Sequence, residues 1–273
     1  MEKMANIVEK NENSNQITSG TREWADTNVN LCNGCSNNCR YCYALKMAVR
    51  FGRKTEETWK EMELNKDAIH KNYRKRKGRI MFPSSHDITR EILKPCAFVL
   101  RKLLSTGNEV LITTKPDLTC IYKLLSYLKP YKSQVQFRFT ITSKDPKKLK
   151  FWEPGAPCIE DRLQSLKLAR MKGFKTSVSI EPFLDKNPIP LILMLANDVT
   201  ESIWIGKMNY IKANDLTPEE QKYYNFQRKI CSWSNIQEII SQVQKLPQEI
   251  KSKIRLKDSI RKMHEKRGLE VEL

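Results

Sequence analysis

Four of the chain's eight cysteines crowd into the run VNLCNGCSNNCRYCYA at residues 29–44, at positions 32, 35, 39 and 42. The other four, Cys96, Cys120, Cys158 and Cys231, are scattered singly. Thiols this close along a chain pair awkwardly as disulfides, which need a particular separation of the two backbones. As thiolates they are the soft ligands that zinc and iron–sulfur clusters select. Two spacings can be read. Cys32-x2-Cys35 with Cys39-x2-Cys42 would supply four zinc ligands, but paired zinc knuckles stand roughly a dozen or more residues apart, and here three intervene. Cys35-x3-Cys39-x2-Cys42 lets one loop wrap three corners of an iron–sulfur cubane and leaves the fourth iron without a protein ligand. An open coordination position is what a catalytic metal centre keeps. Cys35, Cys39 and Cys42 are the expected cluster ligands, and Cys32 reads as a buried apolar residue ending the strand before them.

Such a loop needs a scaffold. Short runs rich in β-branched and aromatic residues predict strands at 28–31, 79–83, 109–113, 136–142, 176–180 and 203–206. Apolar residues at three- and four-residue spacing predict helices at 90–105, 118–128, 159–172 and 189–197, with two more inside 43–75 broken at Gly52. Ile92, Cys96, Val99, Leu100, Leu103 and Leu104 show the pattern. Strand–helix alternation of this kind predicts parallel strands with right-handed crossovers. A closed eightfold barrel takes ~250 residues, so the expected fold is α/β, a partial (β/α)6 TIM-like barrel with a C-terminal helical cap. Residues 1–26 are expected to form a flexible polar arm, 27–215 the barrel, and 216–273 the cap of the same domain. The cap would hold polar helices at 218–231 and 235–245, a short strand at 253–256 and a basic tail. The cysteine run then lies at the edge of a parallel array where active sites form.

Composition narrows the classes. With 40% hydrophobic and 29% charged residues the chain is globular rather than disordered. No apolar run reaches the ~18 residues of a membrane span, and the polar start is neither a signal nor a transit peptide. A cytoplasmic location without a membrane partner is expected. Lys and Arg outnumber Asp and Glu by 49 to 31, a net +18. That excess attracts polyanions, nucleic acid first, although a Lys-rich, Gly-poor composition produces the same charge without any partner.

The cysteine spacing, with an aromatic residue (Tyr41) just before the last thiol, resembles the signature of the radical S-adenosylmethionine (SAM) superfamily. Further segments sharpen this over roughly residues 28–258. GCSNNCRYCYA (34–44), Thr114-Lys115, Thr140 with Thr142, EPGAPCIEDRL (153–163) and RLKDS (255–259) look like the spore photoproduct lyase-related branch, often labelled DNA repair photolyases. SIEPF (179–183) is similar to a run in phage-type radical SAM proteins. The resemblance implies a [4Fe–4S] cluster on Cys35, Cys39 and Cys42, whose open iron chelates the amino and carboxylate groups of SAM. An electron, from a donor such as flavodoxin or ferredoxin, then breaks the S–C5′ bond. The 5′-deoxyadenosyl radical so formed takes a hydrogen atom from a substrate that the sequence does not name. Lys115 would pair with the SAM carboxylate, with Thr142 or Ser143 beside it. Ser84, Ser85, His86 and Asp87 would border its amino group, and Tyr41 and Glu181 would line the pocket. Arg162 would either set a helix start or reach SAM or a substrate phosphate. Glu181, flanked by apolar residues, should be partly buried with a polar partner.

One departure matters. Spore photoproduct lyases carry a hydrogen-donating cysteine in a Cys-Thr-Ser-Asp run at the second strand, where this chain has SSHD at 84–87. A hydroxyl O–H bond is too strong to quench a carbon radical, so either one of the scattered cysteines supplies the hydrogen atom, with Cys158 as the candidate donor, or the chemistry differs. DNA or nucleic-acid repair or modification by a lyase of the spore type stands as the alternative function. A non-enzymatic, zinc-stabilised nucleic-acid-binding protein is a second.

Overall fold

The computed structural model describes residues 19–269 and Leu273. The first half runs β1 (Thr27–Asn28), β2 (Cys32–Asn33), α1 (Tyr43–Arg50), β3 (Glu63–Leu64), α2 (Lys66–His70), β4 (Arg79–Phe82), α3 (Leu93–Ser105), β5 (Glu109–Thr114), α4 (Leu118–Tyr127) and β6 (Val135–Thr140). The second half runs α5 (Pro146–Trp152), α6 (Ile159–Met171), β7 (Lys175–Ile180), α7 (Ile189–Leu195), β8 (Ile203–Ile205), α8 (Pro218–Ile230), α9 (Trp233–Gln244), α10 (Gln248–Lys251), β9 (Ile254–Leu256) and α11 (Asp258–Glu265). β1, β4, β5, β6, β7, β8 and β9 form one seven-stranded sheet in that order. Every pairing in it is parallel. Among the described residues β1 and β9 do not pair with each other, so the array stays open, as a partial barrel.

The strands are short apolar runs buried on both faces, as parallel strands under helices must be. Ile80, Phe82, Leu111, Ile112, Phe137, Phe139, Val178, Ile180, Ile203 and Ile205 are all fully buried. Each such side chain contributes about 1.5–3 kcal/mol of burial. The helices bury one face each, through Leu100, Leu103 and Leu104 on α3, Ile121 and Leu124 on α4, and Leu191 and Ile192 on α7. Among the described residues no helix is long and apolar enough to cross a membrane.

The structure differs from the sequence reading in several places. The sheet has a seventh strand: β9, expected within a helical cap, pairs in parallel with β8 through Ile203↔Ile254 and Ile205↔Leu256. The basic tail is the helix α11, whose Ile260 and His264 are buried. Of the expected arm, residues 1–18 lie outside the described residues. Gly20–Glu23 form a 3-10 turn whose Glu23 pairs with Lys257 and Arg261. The arm's inner end is thus fastened to the far end of the chain. Finally, β1 covers only Thr27 and Asn28 because the side chain of Asn30 replaces the ladder. Its Oδ1 accepts from the Ser84 and Ser85 N–H groups at 2.7 and 3.1 Å, and its Nδ2 donates to Ser84 Oγ at 3.0 Å.

Candidate active site

The cysteine loop leaves β2 and enters α1. Cys42 is the N-cap of α1, its sulfur accepting from the Leu45 N–H at 3.4 Å. Cys35 and Cys42 pack with Ala44, Leu45, Ala48 and Trp59 in an apolar cluster of their own. The loop is clamped from outside. Gly34 adopts φ +100 so that the chain can pass the Trp59 and Glu61 carbonyls, where a Cβ would lie 2.8 and 2.3 Å from those oxygens. On the other side the turn at 153–157 presses against the loop's backbone. Gly155 N–H donates to the Asn37 carbonyl at 3.1 Å and Arg40 N–H to the Trp152 carbonyl at 2.9 Å. A Cβ on Gly155 would stand 2.3 Å from the Ser36 carbonyl oxygen. Gly155→Ala is therefore expected to lower iron bound per chain after reconstitution and to destabilise the fold by roughly 1–3 kcal/mol. Iron analysis with denaturant melts checks this. Unchanged values in both would show that the turn does not set the loop.

Cys35, Cys39 and Cys42 all line one cavity of ≈ 830 Å³ at the C-terminal ends of the strands. Tyr41, Ser84, Ser85, His86, Asp87, Lys115 and Glu181 line it too, as does Cys32. Asp87 is the hub of this wall. Its Oδ1 accepts from Lys115 N–H at 2.6 Å and Thr114 Oγ1 at 3.1 Å. Its Oδ2 accepts from Asn37 Nδ2 at 2.8 Å, lies 3.5 Å from Lys115 Nζ and receives Cys35 Sγ at 3.9 Å. Burial works against the Asp87 carboxylate, but the Lys115 ammonium and these donors outweigh it and hold its pKa below the ordinary range. Burial likewise favours a neutral Lys115, and Asp87 and its other anionic neighbours overcome it, so the pair stays ionic. Lys115 Nζ also sits 5.7 Å over the Tyr41 ring. His86 is a brace: its Nε2 accepts from Leu31 N–H at 3.1 Å while Nδ1 faces the Asp87 carbonyl at 3.0 Å. Burial lowers its pKa, so the neutral ring with Nδ1–H fits both contacts.

Four expected site residues lie elsewhere. Arg162 is fully buried and does not line the cavity. Its NH2 is 2.5 Å from Glu153 Oε2 and its Nε donates to the Pro157 carbonyl at 2.9 Å. Thr142 donates to Glu153 Oε1 at 2.6 Å, and Ser143 Oγ accepts from Asp145 N–H at the entry to α5. Both are fully buried off the cavity; β6 presents Thr140 to it instead. Cys158, the expected hydrogen donor, is exposed at the N-cap of α6, off the cavity wall. The thiol that joins the three on the wall is Cys32. Glu153 was missed as the anchor of this region. It accepts from Tyr41 Oη, Thr142 and Arg162, and so couples the cysteine loop to β6 and α6.

Glu181, at the end of β7, faces the cavity beside Gly206, where a Cβ would fall 2.8 Å from its Cγ. Its Oε2 lies 3.9 Å from Lys257 Nζ, but Lys257 is held more closely by Glu23 and by the Gly20 carbonyl at 2.8 Å. Burial accordingly pushes the Glu181 carboxyl up from 4.5 to about 7. A raised carboxyl pKa means the folded chain binds more protons than the unfolded one between about pH 4.5 and 7. Stability then falls as pH rises through that window. Glu181→Gln is expected to remove this slope, worth at most about 3 kcal/mol, and to gain stability at pH 8. Denaturant melts of the unloaded chain at pH 5 and pH 8 measure it; an unchanged slope would assign it to another group.

The donor set fits a cationic cluster. Burial pushes the cavity thiols up, Cys39 to about 12 and Cys32 to about 11, with Cys35 and Cys42 also raised. A thiol held so high loses its proton when a metal cation replaces it. Thr113 Oγ1, on the same wall, is buried and without a hydrogen-bond partner among the described residues. No three His, Cys, Asp or Glu side chains among the described residues converge as ligands of one metal ion. A cubane sets each sulfur on its own iron, farther apart than the ligands of a single zinc.

Thiols gathered in one loop over the open end of a parallel β/α array belong to a known class of proteins. The chain belongs to the radical SAM superfamily, whose family model matches residues 29–187, more than half of the chain. Proteins of this superfamily use SAM, an iron–sulfur cluster and a reductant. Among curated proteins the chain is 32% identical over 178 residues to uncharacterized protein ORF301 of Acidianus two-tailed virus, covering 61% of this chain and 58% of that protein. It is 28% identical over 158 residues to uncharacterized protein MJ0683 of Methanocaldococcus jannaschii, covering 57% and 60%. The chain thus spans about three fifths of the length of these relatives. A spore photoproduct lyase, solved as a mutant, shares the fold with a TM-score of 0.51 and 15% identity over 74% of this chain and 60% of that one.

Proposed function

We propose that the chain is a radical SAM enzyme that holds a [4Fe–4S] cluster on Cys35, Cys39 and Cys42 and binds SAM against the Asp87–Lys115 wall. A substrate would sit toward Glu181. The observation that carries this reading is that three thiols of one loop, Cys35 and Cys39 buried and Cys42 half-buried, share a single cavity with the Lys115 ammonium. Together the bound cluster and SAM would supply a 5′-deoxyadenosyl radical for hydrogen abstraction. The protein's part is positional. Lys115, kept charged by Asp87, offers a cation to the carboxylate of SAM. Thr113, Thr140 and Ser179 present hydroxyls from three successive strand ends. Buried aliphatic side chains beneath them keep water from the sheet. Anaerobic reconstitution followed by dithionite and SAM should give a brown chain and 5′-deoxyadenosine. A colourless chain without iron sinks the reading.

One observation favours a nucleic-acid substrate. Phe51, just after α1, is 61% exposed, with the Arg50 and Arg53 guanidinium carbons 5.8 and 5.7 Å from its ring centroid. Arg53, Tyr43 and Tyr210 line the neighbouring cavity, and Tyr43 and Tyr210 are exposed. Exposed rings flanked by guanidinium groups suit the stacking of unpaired bases. Affinity for a single-stranded DNA oligonucleotide should fall steeply with salt. No binding at low salt rejects this version.

A further inference from the structure

A second hollow, of ≈ 680 Å³, opens on the outer surface between α5 and α8, behind the cysteine loop. Its wall includes Arg40, the residue between Cys39 and Tyr41. Cys39 and Tyr41 line the main cavity, so the loop has the cavity on one side and this hollow on the other. Arg40 is fixed there. Its guanidinium lies 4.5 Å from the Phe151 ring centroid, Nε donates to the Phe151 carbonyl at 2.8 Å, and NH1 donates to Glu220 at 2.7 Å. Phe151 stacks on Tyr223 at 3.8 Å and 7°. Inward, Phe151 meets Trp152 at 5.0 Å, and Trp152 meets Tyr41 at 6.4 Å. Aromatic rings therefore run without a break from the cysteine loop to the surface.

The rim is basic. Lys147 and Lys150 are exposed, with no carboxylate partner among the described residues. Of the two carboxylates in the hollow, Glu220 is already engaged, by Arg40 and by the capping box with Thr217, which leaves Glu219.

We propose that this hollow is the docking face for the protein that reduces the cluster, a small acidic one-electron carrier of the flavodoxin kind; the proposal rests on the radical SAM reading. A protein cannot enter the cavity, so its electron must cross the wall, and tunnelling falls steeply with separation. The wall is thin where Arg40 is bonded directly to Cys39. A basic rim steers an acidic partner and fixes its register. One electron leaves the carrier, which is oxidised by one equivalent, and enters the cluster, which is reduced by one. No atom or proton is exchanged.

The test uses Lys147→Glu/Lys150→Glu, two exposed residues outside the cavity. Binding of flavodoxin to the chain is titrated at low salt, and 5′-deoxyadenosine is measured with reduced flavodoxin and, separately, with dithionite. The expected result is a loss of about tenfold or more in flavodoxin affinity, a matching loss in flavodoxin-driven product, and unchanged dithionite-driven product. Flavodoxin affinity and rate equal to the parent's overturn the proposal. So does a variant that loses oligonucleotide binding while keeping flavodoxin binding, since the face would then serve nucleic acid. No dithionite-driven product from the parent chain counts against the enzyme reading instead, and the flavodoxin titration still decides the surface.

Discussion

With alanine at Cys39 the chain is expected to purify colourless, to keep little of the parent's iron and to make no 5′-deoxyadenosine above background, while folding normally. Cys39 Sγ is buried, and its hydrogen-bond contact is with the Asn37 carbonyl, at 3.9 Å. Deleting it therefore removes a ligand and few contacts, at a cost of about 1 kcal/mol in lost packing. A cubane gripped at two corners has two irons open to water. It is lost or degraded, because the ligands supply the binding energy that holds such a site together. Iron and sulfide per chain, absorption in the blue and product yield are the measurements. Cys158→Ala is the matched control. It sits exposed on another face and should leave all three values at the parent's level. Full iron in the Cys39 variant would move the ligand set to include Cys32, which shares the cavity wall.

The second large effect lies outside the cavity. Arg162→Met should cost about 3–5 kcal/mol of stability, because it strands the Glu153 carboxylate in a dry interior. Both side chains of the pair are fully buried. Glu153 also takes the Tyr41 hydroxyl and Thr142, so its displacement should loosen the cysteine loop and lower iron retention too. Glu153→Met combined with Arg162→Met should recover much of the loss, since two well-packed apolar groups leave no charge unpaired. The pH response has a definite sign. Burial opposes the Glu153 carboxylate, but Arg162, Lys115, Thr142 and Tyr41 prevail and depress its pKa below 4.5. The stabilisation is complete above the unfolded value near 4.5 and is lost as pH falls through the folded one. Parent and Arg162→Met melts should therefore converge in acid. Curves that stay parallel down to acid unfolding would show that the pair contributes nothing through charge.

How much was legible beforehand follows from which forces are local. The central strands could be read because runs such as Val110–Leu111–Ile112 and Phe137 with Phe139 carry their burial in their own composition. β9 could be read as a strand but not as the sheet's last member, since its partner Ile203 is remote in sequence. The hairpin of β2 with β3 is two residues on each side, too short for any period to show. α5 was hidden by Lys147, Lys148 and Lys150, leaving Leu149 and Trp152 as its buried residues.

At the cavity wall, Lys115 directly follows the apolar strand β5, and Asp87 closes the short polar run after β4. Thr142 and Ser143 lie off the cavity because β6 ends at Thr140, and past it a residue count no longer says which way a side chain faces. Arg162 pairs with Glu153, a carboxylate of the turn before its helix. The EP…R pattern was present in the sequence, but nothing in it told a buried ion pair from a ligand contact. Asn30 carried no local signal at all: its role is set by the backbone of Ser84 and Ser85.

The sheet's unjoined edges deserve a mechanical reading. Among the described residues no backbone ladder between β1 and β9 closes the ring. Glu23, Lys257 and Arg261 fasten it, with the Trp24 ring 4.3 Å from the lysine ammonium. The molecule is in effect a C-shaped clip with a side-chain buckle. Lys257 and Glu23 are 3% and 2% exposed, so ions in solution reach the buckle poorly and salt alone does not undo it. Releasing it breaks no strand pairing, so the bore can gape while every hydrogen-bonded rung of the sheet stays intact.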